Sequence, residues 1–538
     1  MKKIVISCVC FLIANTAFSQ IQYDFNKFTP LASIGTLPNE VTMKGGDFML
    51  SSKKNIDKKG NKRTKKKFVL HSSYAVKDIF NNGRVLYNDP ISEYVEKVRK
   101  EITKSDPQLA SETKIYVIKS SVVNAFATNQ GYIFITTGLL SQLENEAQLA
   151  FILCHELMHY KMKHAVIEYV QNDQIDKNKG PFRKSEIDSK YLTKAHYSRE
   201  YETEADLTGF DLYAKTSYSM DVLDGLFDVL KYSKSPFEEI EFKSKDLLET
   251  NYLVFPKDFI RDKVDEITGI DEDTDDSEST HPNLKKRRTD IADKIAGLGS
   301  EDNSRTRSAY VVSENTFLTA RAMARFDLCH TSLINCTYDL AIYQAYCLLK
   351  EYPNNTYLEA TILKGLYGLT KYNIGNRLEE VCYSPNTVQG EMQRLTALLK
   401  RLTKDEMNVI ALNYAWRLKT KYKNNNNEVN LITADLFECL VSQYPDKSVF
   451  SLTPMDVVKT DIVSAPDTVA KPKESVENAE LSSLKNNGPN YVERILKIGD
   501  KDYFLTYAFV DLLKDQTFVK TYDSLTQKIN NKKMDLIW

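Results

Sequence analysis

Leu149 to Val166 reads LAFILCHELMHYKMKHAV, and within it His155, Glu156 and His159 carry a spacing that suits one kind of chemistry. On an α-helix, residues four apart share a face and lie about 6 Å apart along the axis. His155 and His159 can therefore offer two imidazole nitrogens to one metal ion, and nitrogen donors suit zinc. Glu156 is turned about 100° around the helix from His155. That takes it off the ligand face but leaves it within reach of a water held there. Zinc lowers the pKa of such a water from about 15.7 towards 7, and a neighbouring carboxylate can take the proton as the oxygen attacks a carbonyl carbon. The pattern is that of a hydrolase. A buried helix carrying histidines only for packing would show the same letters, so other stretches must decide.

A catalytic zinc takes three protein ligands and keeps one position open. His164, five residues after His159, is not expected to be the third. A further His from the same segment requires the chain to leave the helix, usually at a Gly as in HExxHxxGxxH, and HYKMKH contains none. A carboxylate from a second helix is the better source, and SREYETEAD (Ser198 to Asp206) supplies Glu200, Glu202 and Glu204.

This second stretch resembles the S-R-x-x-E-x-x-A-D signature of the HtpX, BepA and CAAX prenyl protease family of zinc metallopeptidases. The resemblance implies that Glu202 is the third ligand and that one zinc is bound per chain. Asp206, four residues on and on the same face, would then accept a hydrogen bond from a ligand His and orient it. Two more stretches match. NAFATNQGYIFITTGLL resembles the family's strand before the HExxH, which implies that Asn124, Ala125 and Phe126 line the cleft and pair with substrate backbone. STHPNLKKR resembles the S-T-H-P-x-x-x-x-R segment, matching at His281, Pro282 and Arg287. His281 would approach the zinc, either to steady the oxyanion or to fill the open position at rest. The resemblance covers roughly residues 68–297, with four motifs in the family's order. It departs at the long polar insertion between His159 and Glu202.

These residues must be held by a mixed scaffold. KIYVIKSSVVNAFA (Lys114 to Ala127) and YIFITT have strand composition around the turn TNQG, which predicts a β-hairpin. GLLSQLENEAQLAFILCHELMHYKMKHAVIEYV predicts two helices, with HExxH in the second. The expected fold is α+β and mainly α: a zincin-type domain with a small β-hairpin or sheet, followed by a helical, tetratricopeptide-like domain. In that second half YDLAIYQAYCLLKEYPNN and ITADLFECLVSQYPDK both read as a helix ending at aromatic-Pro, although their separation is too long for one 34-residue repeat.

The expected organisation is a signal peptide over 1–19, a polar basic segment over 20–67 and the metallopeptidase domain over 68–300. A helical domain over 301–450, a Pro/Ser/Thr-rich linker over 451–490 and a helical C-terminal segment over 491–538 follow. MKK, the apolar run after it and AFSQ make the export signal. No later segment approaches 18 uninterrupted apolar residues, so no integral span is expected after the signal is removed. Export to the periplasm, with or without peripheral membrane contact, follows. It makes one or two disulfides expected among the five cysteines of the second half, out of six after the signal. Across 538 residues, 72 Lys plus Arg balance 73 Asp plus Glu, which gives no footprint for nucleic acid. The basic run Lys53 to Lys67 and the acidic run Asp271 to Ser279 read as solvated loops.

The layout is that of the soluble periplasmic BepA-like members. It implies an endopeptidase acting on unfolded or misassembled envelope proteins, with outer-membrane or envelope assembly components as partners. The rival expectation is an interaction or chaperone module whose metallopeptidase site is latent.

Overall fold

The computed structural model describes residues 23–44, 62–166, 199–250, 253–255, 259–269, 284–298, 306–450 and 507–535. The signal segment, the acidic run, His281 and the Pro/Ser/Thr-rich stretch lie outside the described residues.

Helices α1 (Lys62–Asn81), α2 (Pro90–Ile102) and α3 (Pro107–Glu112) precede or flank the first strands. Helix α1 begins inside the basic run, so that run is partly helical, and the boundary expected at 67/68 falls within this helix. Among the described residues the sheet has four strands, β1 (Val85–Leu86), β2 (Lys114–Ile118), β3 (Ala125–Ala127) and β4 (Tyr132–Thr136), in the order β1-β2-β4-β3. Strand β2 runs parallel to β4 with Lys114 opposite Tyr132, and β3 runs antiparallel to β4 with Phe126 opposite Phe134.

The stretch predicted as one strand over 114–127 is therefore two. A single strand could pair with only one side of the wholly buried β4 and would leave its other ladder open. Lys119 to Asn124 instead crosses the end of β4. Ser120 is tied there by its N–H to the Thr137 hydroxyl (3.1 Å) and its carbonyl to Gly138 N–H (2.8 Å). The two halves then flank β4 on both sides. The turn between β3 and β4 needs Gly131, which sits at φ 89°. An added Cβ would lie 2.2 Å from the Glu112 carbonyl.

Helices α4 (Thr137–Gln142) and α5 (Glu146–Met162) follow, and the HExxH motif lies in α5. Asn145 caps α5 through its side chain to Gln148 N–H, and Lys163 ends it at φ 63°. Every residue from Glu146 to Tyr160 is buried, so α5 is a central helix rather than an amphipathic one. Against it pack α6 (Arg199–Tyr213) and α7 (Leu223–Lys231), and α8 (Leu284–Ala296) packs on those two. Gly209 lets α6 approach closely, since a Cβ there would lie 3.1 Å from the His155 backbone.

The second half contains α9 (Glu314–Ile334), α10 (Tyr338–Glu351), α11 (Thr356–Ile374), α12 (Met392–Arg401), α13 (Lys404–Lys421) and α14 (Asn427–Gln443). The last described helix is α15 (Gln516–Asp535). Helices α10 and α14 both stop at the Tyr-Pro dipeptides, where Tyr352 and Tyr444 N–H groups close the last turn. The apolar core continues across residue 300. The main tie is Glu146, the first residue of α5. Its buried carboxylate accepts from Tyr94 and Tyr218 hydroxyls (2.7 Å each) and from the N–H groups of Val311, Val312 and Ser313 (2.9, 2.6 and 3.1 Å).

The described residues between α7 and α8 also bridge the halves, with little regular structure, and contact α10, α12 and α13. Ile240 exchanges two hydrogen bonds with Tyr343 Oη, Lys243 N–H donates to Tyr346 Oη, and Asp265 N–H donates to Gln393.

The six cysteines are free, against the expected disulfides. Cys154, Cys329, Cys347 and Cys382 are buried as small apolar side chains within the packed helices. No described helix is long and apolar enough to cross a membrane.

Candidate metal centre

His155 and His159 sit one turn apart on α5, and α6 lies across them, bringing Glu202 to both. His155 Nε2 is 2.9 Å from His159 Nε2, 3.5 Å from one Glu202 oxygen, and His159 Nε2 is 3.3 Å from the other. These three are the one metal-capable group of His, Cys, Asp and Glu among the described residues, with their donor atoms all within 4.8 Å. Ligands about 2.0–2.2 Å from a tetrahedral zinc stand about 3.3 Å apart. The spacings present, 2.9 to 3.5 Å, bracket that value, and the two-nitrogen, one-carboxylate donor set would leave a fourth position open.

A hydrogen-bonded layer of acids and a cation surrounds the cluster. His155 Nδ1 lies 2.7 Å from Asp206 Oδ1. Arg287, from α8, donates through Nε and Nη2 to Asp206 (2.6 and 2.9 Å), and its Nη1 lies 2.9 Å from Glu202 Oε2. All of these side chains are buried.

Burial pulls the His155 imidazole down, but the Asp206 and Glu202 carboxylates outweigh it and raise it to about 10. Burial pushes Asp206 up, yet Arg287 and His155 hold it down at about 2. Arg287 is raised above its usual value against its own desolvation by Asp206 and Glu202. Buried charge of both signs is thus compensated within one network, as buried ions require. Glu200 is exposed and Glu204 faces away towards His164, so of the three glutamates only Glu202 reaches both imidazoles.

The cluster opens onto a cleft. His155, Glu156 and Arg287 share a cavity with Asn124, Ala125 and a lining that includes Val123, Leu139, Phe151, Leu226, Phe227 and Leu230. Among the described strands β3 is the last of the sheet, and Asn124 and Ala125 at its start line this cavity. Ladder alternation from the Thr136–Asn124 and Tyr132–Thr128 bonds directs the Phe126 backbone to β4 and those of Ala125 and Ala127 to the outer edge. The Phe126 ring turns away from the cleft and stacks on Phe134 at 5.1 Å. A second cavity, polar, continues past His159 between Gln108, Glu112, Thr128, Asn129 and Lys161.

Residues 89–295 match the sequence profile of peptidase family M48. This segment is an M48 peptidase domain. The M48 segment is similar to Metalloendopeptidase OMA1, mitochondrial, of Homo sapiens, at 30% identity over 19% of this chain and 23% of the relative. It is similar to Metalloprotease YcaL of Escherichia coli, at 30% over 22% of this chain and 50% of the relative. It is also similar to a protein of Vibrio cholerae named as a beta-barrel assembly-enhancing protease, at 26% over 16% of this chain and 18% of the relative. The chain thus spans half or less of the length of these relatives.

Arg287 was visible in the sequence only as the last residue of a motif. Its bridge to Asp206 and Glu202 needs the packing of α8 on α6 and has no local signal. Glu146 looked like one acid among several at a helix start, and nothing local announces its five donors. His281 lies outside the described residues, so its approach to the site remains a proposal.

Proposed function

We propose that the protein is a zinc-dependent endopeptidase in which His155, His159 and Glu202 hold the ion and Glu156 is the general base and acid. The observation that carries this reading is the convergence of those three donors beside Glu156 at the floor of a cleft bordered by a strand edge. When bound, zinc would polarise the scissile carbonyl and acidify the attacking water. Glu156 takes the proton from that water as the new C–O bond forms. It then delivers the proton to the departing amide nitrogen as the C–N bond breaks. Asp206 holds His155 by its Nδ1–H, and Arg287 fixes both Asp206 and the Glu202 oxygen that faces it. His281 is proposed to steady the oxyanion.

Substrate is proposed to lie as an extended strand beside Asn124, Ala125 and Phe126, reading backbone rather than sequence. The apolar cavity beside Glu156 would take a bulky apolar side chain next to the scissile bond, and the polar cavity past His159 would take the other side. Such side chains are buried in folded proteins and exposed in unfolded ones. This supports unfolded or misassembled envelope proteins as the substrate class, with the basic and apolar N-terminus as the export signal to the periplasm.

The rival reading, a binding module on the helical half, has less open surface to work with. The faces of α10 and α12 that carry Tyr343, Tyr346 and Gln393 already hold the chain's own Ile240, Lys243 and Asp265.

The test is Glu156→Gln. It should keep about one zinc per chain, abolish cleavage of an unfolded protein, and retain clients identifiable by mass spectrometry. Undiminished cleavage by this variant refutes the mechanism.

A further inference from the structure

His164 is excluded as a ligand by the sequence, yet the structure buries its ring against one. Lys163 adopts a left-handed conformation at φ 63°, and this turn brings His164 back towards His159 instead of continuing around the helix. His164 Nδ1 lies 2.9 Å from His159 Nδ1, and its Nε2 lies 3.2 Å from Glu204 Oε2. The ring also stacks on Tyr201, with centroids 4.6 Å apart and planes at 18°. Both the carboxylate and the stacking ring come from α6, the helix that also supplies Glu202.

The protons in this chain can be assigned from chemistry alone. His159 Nε2 faces His155 and Glu202, so in a metal-holding state that nitrogen carries no proton. A neutral His159 then carries its proton on Nδ1, and the 2.9 Å contact requires His164 Nδ1 to accept it. His164 must in turn hold its own proton on Nε2, where Glu204 accepts it. Each donor meets an acceptor, with neither ring charged.

We propose that His164 is a positioning residue. With Glu204 it fixes the tautomer and ring angle of His159, as Asp206 does for His155, and so presets Nε2 for the metal. The proposal rests on the zinc reading above. A histidine present only to fill space would be replaceable by an apolar side chain without consequence for the ion.

The test measures zinc affinity of the full chain by chelator competition, with circular dichroism as the folding control. Partners of this kind typically contribute about 10- to 100-fold in metal affinity, and a loss of that size is expected for His164→Leu. His164→Gln should recover most of it, because its amide oxygen can accept from His159 Nδ1–H. Zinc binding within about twofold of wild type in a folded His164→Leu overturns the proposal, being far below the usual effect. A His164→Gln as impaired as His164→Leu also overturns it. If His164→Leu does not fold, Glu204→Ala decides, since that side chain is half exposed and removable. Lower zinc affinity then supports the relay, and unchanged affinity overturns it. A wild-type chain that takes up no zinc removes the metal reading and this one with it. A wild type that binds zinc, beside a His164→Leu that binds it equally, removes only the positioning role.

Discussion

Arg287→Met removes the one guanidinium in the buried network while keeping a side chain of similar length. Arg287 faces Asp206 with two hydrogen bonds and Glu202 with one ion pair, all three side chains being buried. Breaking a buried pair by deleting one partner typically costs about 3–5 kcal/mol.

A second route to the magnitude uses Asp206, held at about 2 against an ordinary 3.8. A depression of that size corresponds to about 2–3 kcal/mol, net of burial and shared between Arg287 and His155. The sign follows from the direction of the shift. A depressed carboxylate contributes fully above its unfolded value of 3.8, and the contribution is lost as pH falls through about 2. The deletion figure is larger because removing Arg287 also strands Glu202.

The assay is thermal unfolding of chelator-treated protein followed by circular dichroism. At pH 7 a loss of about 3–5 kcal/mol should lower the midpoint by roughly 4–6 °C for a cooperative unit of about 400 residues sharing one core. Wild type should lose stability between pH 4 and 2 more steeply than the variant. The double variant with Asp206→Asn should fall short of the summed single effects, since the two residues share one network. A loss below about 1 kcal/mol, additive with Asp206→Asn, would refute the claim that this ion network supports the metal helix.

Zinc affinity should fall with pH. His155, raised to about 10 in the metal-free protein, keeps a proton at pH 7 that the ion must displace. Chelator competition between pH 6 and 8 should show about a tenfold change per unit for that proton alone. Gly209→Ala should destabilise the fold by about 1–3 kcal/mol through overpacking, because the new Cβ would press on the His155 backbone at 3.1 Å. Denaturant unfolding reads this, and an unchanged midpoint refutes the close approach. Glu146→Ala leaves the five donors that meet its carboxylate without an acceptor, and each unsatisfied buried group costs about 1–3 kcal/mol. Stability should fall by at least about 3 kcal/mol, with earlier hydrogen exchange at Val311 to Ser313.

The chemistry of this protein is written locally. His155, Glu156 and His159 are four residues apart or fewer, so one turn of any helix delivers their relative placement, and helical spacing likewise puts Asp206 on the face of Glu202. The helix pair α4–α5, the β3–β4 turn at Thr128 to Gly131 and the Tyr-Pro helix stops are equally short-range, and composition and spacing suffice to read them.

What joins distant segments is not legible in this way. The split of residues 114–127 depends on β4 needing partners on both sides, which no local pattern records. Arg287 reaches Asp206 across 81 residues, and Glu146 collects Val311 to Ser313 from the far side of the expected domain boundary. His164 shows why the limit is physical. On an ideal helix it points away from His159, and only the left-handed turn at Lys163 and the packing of Tyr201 and Glu204 from another helix bring it back. Helical periodicity decides which residues share a face. Tertiary packing decides which buried charges and ring nitrogens find a partner, because that depends on where separate elements meet.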